Sequence, residues 1–308
     1  MTTQSPASGT LHQAADRPSS LREVEGIYKA PPLHWVGDGF RVAGYFSRIP
    51  NAVKRLSPFL MLDYHPAYDY PPSKRPRGVG VHPHRGFETV TVAWQGSVAH
   101  HDSAGGGGVI GPGDAQWMTA ASGVLHKEYH EERFSREGGT FQMAQLWVNL
   151  PKQHKMAPPR YQAITAAEMG VVELPGGSGV VRILSGEYRG VPGPAKTFTR
   201  VGIFDVRLSA GGHADFTFPS GDNASLLVMK GEVSINGAKA VLHDFVVLGA
   251  AGERVSIEAT EGAQLLVLTG EPIDEPVVQH GPFVMNTREE IEEAIEDLYS
   301  GKFGHLDD

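Results

Sequence analysis

The stretch HPHRGFETV, residues 82–90, sets two histidines and a glutamate at the head of a run that otherwise reads as the start of a β-strand. Side chains alternate along a strand, so in one extended segment His82, His84 and Glu88 share a face. That face carries three potential metal ligands. Whether they form a site or a polar cluster inside a core is decided by the rest of the chain.

Histidine is concentrated around this stretch: six of the fourteen (His82, His84, His100, His101, His126 and His130) lie between positions 82 and 130. His126 and Glu128, in LHKEY, repeat the two-residue spacing of His82 and His84. An isolated histidine pair at this spacing is more often surface or capped than ligating. A second pair in the same β-rich segment, close to the turn PGD (112–114), favours a metal site. Two such pairs on strands of one barrel would direct three imidazoles and one carboxylate into a single interior, within reach of one ion at about 2.0–2.2 Å. Spacing alone leaves both Glu88 and Glu128 open as the carboxylate. His100 and His101 point to opposite faces if extended, so at most one lines the same pocket, with a hydrogen bond at the rim as its expected role; His130, beside the charged run EER, is expected at the barrel mouth.

The chain has no cysteine, which removes disulfides, thiolate metal sites and cysteine nucleophiles. Nitrogen and oxygen donors suit one divalent transition metal, with Fe, Ni, Mn, Co, Cu and Zn all compatible and Ca or Mg disfavoured. Four protein ligands close a tetrahedral zinc site but leave two positions open on an octahedral ion.

A length of 308 residues allows two domains. The first twenty residues lack the apolar core and basic start of a secretion signal, and no apolar run is long enough to span a bilayer, so a soluble cytoplasmic protein is expected. Of the net charge of −8, the last 22 residues contribute −6, which leaves a body near neutrality. No basic stripe with interleaved aromatics is present, so direct nucleic-acid binding is not expected. Neither glycine cluster, 71–80 or 103–114, has the spacing of a phosphate-binding loop.

Residues 1–22 read as a mobile arm, with folding expected to start near Arg22. Short apolar runs separated by turn residues, among them FLMLDYH (59–65), TVTVAW (89–94) and MAQLWVNL (143–150), mark residues 23–150 as an antiparallel β-sandwich or barrel. The Pro- and Gly-rich residues 151–195 read as a connector with little continuous structure, and 196–272 as a second β domain. WQGSVAHHDS (94–103) and MKGEVSINGA (229–238) superpose with a shift of 135, the mark of a duplicated fold. Under that shift His82, His84 and Glu88 fall opposite Thr217, Pro219 and Asn223, so the second copy keeps the strands and loses the ligands. In the closing segment, 273–308, Thr287 and Glu290 form a capping box, Ile291, Ala294, Ile295 and Leu298 recur at helical spacing, and Gly301 stands where a C-terminal cap belongs.

HPHRGFETVT, followed by PGDAQWMTAASGVLHKE (112–128), resembles the signature of the pirin family within the cupin superfamily. QLWVNLP (145–151), GPFVMNT (281–287) and EEAIEDLYSGKFG (292–304) extend the resemblance over about residues 22–304. It implies an all-β fold of two cupin-type β-barrels (jelly-roll sandwiches) face to face, with a short C-terminal α-helix and metal in the N-terminal barrel alone. Carried over position by position, the metal ligands fall on His82, His84, His126 and Glu128. This selects Glu128 over Glu88, which takes a role behind the ligands or in packing. Fe(II) is the metal the family implies, and a monomer is expected.

Two functions are implied. One is a dioxygenase resembling quercetinase, opening the heterocyclic ring of a flavonol with O₂ and releasing carbon monoxide, with Glu128 doubling as the catalytic base and Phe87, Trp94, Trp117 and Met118 as candidate walls. The other is a regulatory protein that binds a transcription factor or metabolic enzyme and uses the metal's oxidation state as a switch; Lys74, Arg75 and Arg85 would form a basic patch beside the site.

Overall fold

A computed structural model describes residues 20–307. The first nineteen residues of the expected arm lie outside the described residues. Two β-barrels stand face to face, each built from a seven-stranded and a four-stranded antiparallel sheet. In the first barrel the larger sheet runs, edge to edge, Arg160–Ile164, Ala115–Thr119, Phe87–Gln95, Gly139–Asn149, Phe59–Tyr70, Phe40–Gly44, His34–Val36. Its smaller sheet runs Gly78–His84, Val124–His130, Val98–Asp102, Gly107–Ile110.

The second barrel repeats this order. Its smaller sheet is His213–Thr217, Arg254–Ala259, Glu232–Ile235, Ala238–Val241, and its larger sheet centres on Asn223–Lys230 and Ala263–Gly270. The shift of 135 holds through the first strands of each copy, and the tight turns at Gly96 (φ +77°) and Gly231 (φ +76°) share the left-handed conformation glycine adopts freely. The second interior is filled with Phe204, Phe216, Val233, Ile235, Ile257 and Leu265. Thr217 and Pro219, opposite His82 and His84, are exposed.

The barrels meet through the outer faces of their larger sheets. Alternation sends Leu62, Tyr64, Val90, Val92, Trp94, Trp117, Leu146 and Val148 toward the partner barrel, where they pack on Ile203, Leu227, Met229, Phe245, Leu266 and Leu268 in one buried cluster. In the second barrel the larger sheet is apolar on both faces, which explains the near-continuous apolar runs of its central strands, Asn223–Lys230 and Ala263–Gly270.

Two expected boundaries are corrected. Val24–Tyr28, assigned to the first domain, pairs with Phe245–Leu248 of the second barrel, and Arg22 reaches the same barrel, donating to the carbonyls of Asp222 (2.6 Å) and Pro219 (2.7 Å). The stretch 151–195 is not structureless: Arg160–Ile164 closes the edge of the first barrel's sheet, while Gly170–Leu174 and Gly179–Ser185 extend the second. Proline and glycine there cluster in the turns and leave short edge strands between them.

The C-terminal helix, Arg288–Tyr299, has the expected capping box of Thr287 and Glu290. Its apolar face, Ile291 and Ala294, packs with Phe283, Met285 and Phe303 against Leu125 of the first barrel. No helix among the described residues is long and apolar enough to cross a membrane.

Candidate metal centre

Strands Gly78–His84 and Val124–His130 lie side by side, with His126 paired to His82 and a register shift before Glu128, which pairs with Val79. Every second residue of the latter strand is buried (Val124, His126, Glu128, His130), so all four project into the barrel. The rings of His82, His84 and His126 converge, with centroids 4.9 Å (82–84), 4.2 Å (82–126) and 4.7 Å (84–126) apart. One ligand atom from each lies within 4.8 Å of the others.

The ring nitrogens divide in a way that suits a metal. His82 Nδ1 is engaged by the Gly80 carbonyl (2.8 Å) and His84 Nδ1 by the Pro282 carbonyl (3.4 Å), which keeps their Nε2 lone pairs free to ligate. His126 Nδ1 faces His100 Nδ1 at 3.4 Å, while its Nε2 is buried with no hydrogen-bond partner. An orphaned buried imidazole nitrogen is costly unless something fills the place opposite it. Burial, followed by the neighbouring rings, pushes His84 down to about 3 and His126 well below its ordinary value, so both are neutral and ligand-competent at neutral pH. The donor set therefore fits a divalent transition metal.

Glu128 is brought to the same interior and held from behind. Gln116 Nε2 donates to its Oε1 (2.5 Å), Gln145 Nε2 to its Oε2 (2.6 Å) and the Thr91 hydroxyl to Oε1 (3.3 Å). These donors come from one row of the larger sheet, in which Asp63, Gln145, Thr91 and Gln116 are cross-strand neighbours in register. Glu128 stands outside the group formed by His82, His84 and His126 and instead groups with His100 and His126, ligand atoms within 4.8 Å. Next to the centre is a cavity of about 50 Å³ lined by Val36, Phe40, Val79, Met143, His82 and Glu128 among others. Asp63 lines both this cavity and an outer recess of about 490 Å³ that also touches His34, Met61, Trp147 and Gln279. Burial raises the Asp63 carboxyl.

Several expectations are corrected. HPHRGFETV is two strands, not one: Arg85 and Gly86 turn the chain between Gly78–His84 and Phe87–Gln95, so the parity argument does not cross to Glu88. Glu88 lies on the outer face with Val90 and Val92, accepts from the Thr119 hydroxyl (2.6 Å) and is pushed by burial up to about 7. His100 and His101 do point to opposite faces, but His100 is fully buried rather than at the rim, stacked on Tyr161 (5.0 Å between centroids) with Nε2 3.3 Å from Asp102 Oδ2. Burial alone would raise Asp102; the His100 bond and the N–H groups of Gly106 and Ala104 bring it below its ordinary value. His130 is not at the mouth. It is fully buried among Phe40, Tyr70 and Phe141, and bonds the Gly39 carbonyl (2.9 Å).

Of the candidate walls, Trp94 and Trp117 belong to the core between the barrels, and Met118 packs on Ala120, Val124 and Tyr161. Phe87 does flank the site, 5.0 Å from His84, and beside it stands Trp147, which sequence reasoning passed over, 5.2 Å from His84. Arg85 forms no exposed patch. It is buried, paired with Asp297 of the C-terminal helix (2.9 Å) and bonded to the Ser122 carbonyl (2.6 Å).

Behind the turn sits Lys155, 1 % exposed, with Nζ donating to the Gly86 carbonyl (2.7 Å), Asn149 Oδ1 (2.7 Å) and the Val284 carbonyl (2.9 Å). Burial lowers it to about 7. Three segments remote in sequence are joined at this one ammonium. Gln116, Gln145 and Asn149 all lie within runs already singled out, AQWMT and QLWVN; a polar residue at inward parity in an otherwise apolar strand was the available signal.

Residues 39–148 match the family described as Pirin, and residues 203–304 match the Pirin C-terminal cupin domain. The chain belongs to the pirin family. A Pseudomonas aeruginosa pirin relative provisionally named a quercetin 2,3-dioxygenase is 49 % identical over 283 residues, 92 % of this chain and 99 % of that one. Human pirin is 38 % identical over 276 residues, 87 % of this chain and 89 % of its own. Among solved structures, a quercetin 2,3-dioxygenase from Acinetobacter baumannii superposes with a TM-score of 0.89 at 44 % identity, covering 94 % of this chain and all of that one. The fold is also that of the Escherichia coli pirin YhhW, solved in complex with nickel(II), at a TM-score of 0.59 and 22 % identity over 80 % of this chain and all of that one.

Proposed function

We propose that this pirin is a metal-dependent dioxygenase acting on a flavonol-like hydroxylated aromatic, with one divalent ion, Fe(II) by preference, held by His82, His84, His126 and Glu128. The observation that carries this reading is the convergence of three imidazoles, one with an orphaned buried Nε2, beside a carboxylate and a cavity. A purely structural ion is usually enclosed by its ligands, whereas here cavity space adjoins them. The likeness to the Pseudomonas and Acinetobacter proteins supports the substrate class.

The bound ion supplies Lewis-acid or one-electron chemistry toward the substrate oxygen. The protein's own contribution is positional. Glu128 lines the cavity with Oε1 held by Gln116 and Thr91 and Oε2 by Gln145 alone, which orients the carboxylate and leaves Oε2 capacity to accept the proton of the substrate hydroxyl. A cavity of about 50 Å³ takes dioxygen but not a flavonol, while the recess of about 490 Å³ is of ligand size. The aromatic body therefore lies in the recess and its reacting edge enters past Asp63, which requires the wall there to part.

The test is anaerobic loading with Fe(II), metal analysis, then exposure to quercetin and air. His126→Ala should lose most bound metal with the second barrel still folded. Glu128→Gln should retain folding and lose turnover. Full metal stoichiometry in His126→Ala would sink the ligand assignment. Stoichiometric metal with an unchanged flavonol spectrum would replace the enzyme by a metal-responsive binding protein.

A further inference from the structure

Among the residues around the centre, two have no part in the proposed reaction and yet are buried in a line behind a ligand. His126 Nδ1 is 3.4 Å from His100 Nδ1, and His100 Nε2 is 3.3 Å from Asp102 Oδ2. The other Asp102 oxygen, Oδ1, accepts the backbone N–H groups of Ala104 (2.9 Å) and Gly106 (2.8 Å), so the carboxylate is fixed by its own loop. Tyr161 stacks on His100 at an interplanar angle of 18° and holds that ring in place.

We infer that Asp102 and His100 are positioning residues that set the tautomer of His126, and through it which ring nitrogen faces the metal; the inference rests on the metal-site reading above. A carboxylate only accepts, so a singly protonated His100 carries its proton on Nε2 and presents a bare Nδ1. A bare Nδ1 can only accept, so His126 must carry its proton on Nδ1. The lone pair of His126 is then on Nε2, the atom that is buried without a partner. Proton positions along the whole chain follow from one carboxylate. A ligating histidine is commonly oriented by a partner on its second nitrogen; here that partner is a second imidazole, and the direction is imposed one residue further back.

Asp102→Asn separates this role from a structural one. The amide oxygen can keep both loop N–H bonds, while the NH₂ that replaces Oδ2 donates to His100 Nε2. The chain then reverses: His100 donates from Nδ1, and His126 accepts at Nδ1 with its proton on Nε2. A swap of carboxylate for amide is known to leave geometry intact and the wrong tautomer behind. The expected results are a loss of Co(II) affinity of about 10- to 100-fold in anaerobic titration, an unchanged melting temperature, and exchanged ¹⁵N shifts for the two ring nitrogens of His126 in the metal-free protein. His100→Phe keeps the stack on Tyr161 and breaks the chain. It should leave His126 as a mixture of tautomers, and adding Asp102→Asn to it should cost nothing more.

Three outcomes overturn the inference: unchanged His126 tautomer and affinity in Asp102→Asn; additive losses in the double variant; or the loss of one nitrogen ligand from the Co(II) absorption-edge spectrum of His100→Phe, which would make His100 a ligand. If Asp102→Asn fails to fold, a single His126 tautomer in His100→Phe also overturns it. If the wild-type protein binds no Co(II), the metal-site reading fails by itself, while the ¹⁵N spectrum of the metal-free protein still decides the direction of the chain.

Discussion

Gly86→Ala should damage the protein well beyond the ordinary cost of a glycine replacement. Gly86 turns the chain between the strand that ends in His84 and the strand that begins at Phe87, at φ +90°, and an added Cβ would lie 1.9 Å from the Val284 carbonyl oxygen. That carbonyl accepts from Lys155, and its segment is bridged to Arg85 and packed under the C-terminal helix. Two costs add. The left-handed backbone costs an alanine about 1–2 kcal/mol, and displacing packed backbone costs about 1–3 kcal/mol more. Gly190→Ala isolates the first, because Gly190 has φ +80° and an added Cβ there meets nothing within 4 Å. At roughly 2–4 °C per kcal/mol, Gly86→Ala should melt about 2–12 °C below Gly190→Ala. It should also exchange amide hydrogens faster across Phe283–Met285 and bind metal less tightly, because His84 leans on the Pro282 carbonyl. Equal melting temperatures for the two variants would refute the claim that the C-terminal segment clamps the turn.

Acid stability should depend on the buried histidines. His130 is lowered by burial to about 4 in the folded protein against about 6.5 unfolded, so its contribution is full above pH 6.5 and is lost as the pH falls toward 4. His65 behaves alike, while Glu88, raised to about 7, works with the opposite sign between its unfolded value and 7. His130→Phe leaves the Gly39 carbonyl bonded to the Tyr70 hydroxyl (2.8 Å), so it should flatten the dependence of urea-unfolding free energy on pH by up to about 1.4 kcal/mol per pH unit in that window; an unchanged slope would mean that His130 is protonated in the fold. Lys155→Met strips three buried acceptors of their donor and should cost about 3–5 kcal/mol, read by urea unfolding. A loss under about 1 kcal/mol would show that water replaces the ammonium.

The duplicated β architecture was legible because strand-length apolar runs and the repeat around Gly96 and Gly231 are local signals. Val24–Tyr28 was misassigned because an edge strand's partner is a long-range choice: nothing in five residues says which barrel's edge they complete. The same reason hid Arg160–Ile164 inside a proline-rich stretch. At the site, two-residue spacing signalled the inward faces from which His82, His84 and His126 converge and Glu128 joins His126 and His100, yet it failed for Glu88 because a turn at Arg85 and Gly86 resets the alternation. His100 and Asp102 were hidden because their meaning depends on the strand beside them, where Glu128 pairs with His100 and His126 with Asp102. Gln116 and Gln145 became interpretable only once register aligned them with Thr91.

The central claim is that the His82, His84, His126 and Glu128 centre oxidises a hydroxylated aromatic rather than merely storing a metal. The most direct measurement is carbon monoxide release from the Fe(II)-loaded protein with quercetin under isotopically labelled dioxygen, beside Glu128→Gln loaded in the same way. The account predicts one carbon monoxide per flavonol consumed, both labelled oxygen atoms in the ring-opened product, and neither event in the variant. Bound iron with no carbon monoxide and an unaltered flavonol in the wild-type protein would contradict it.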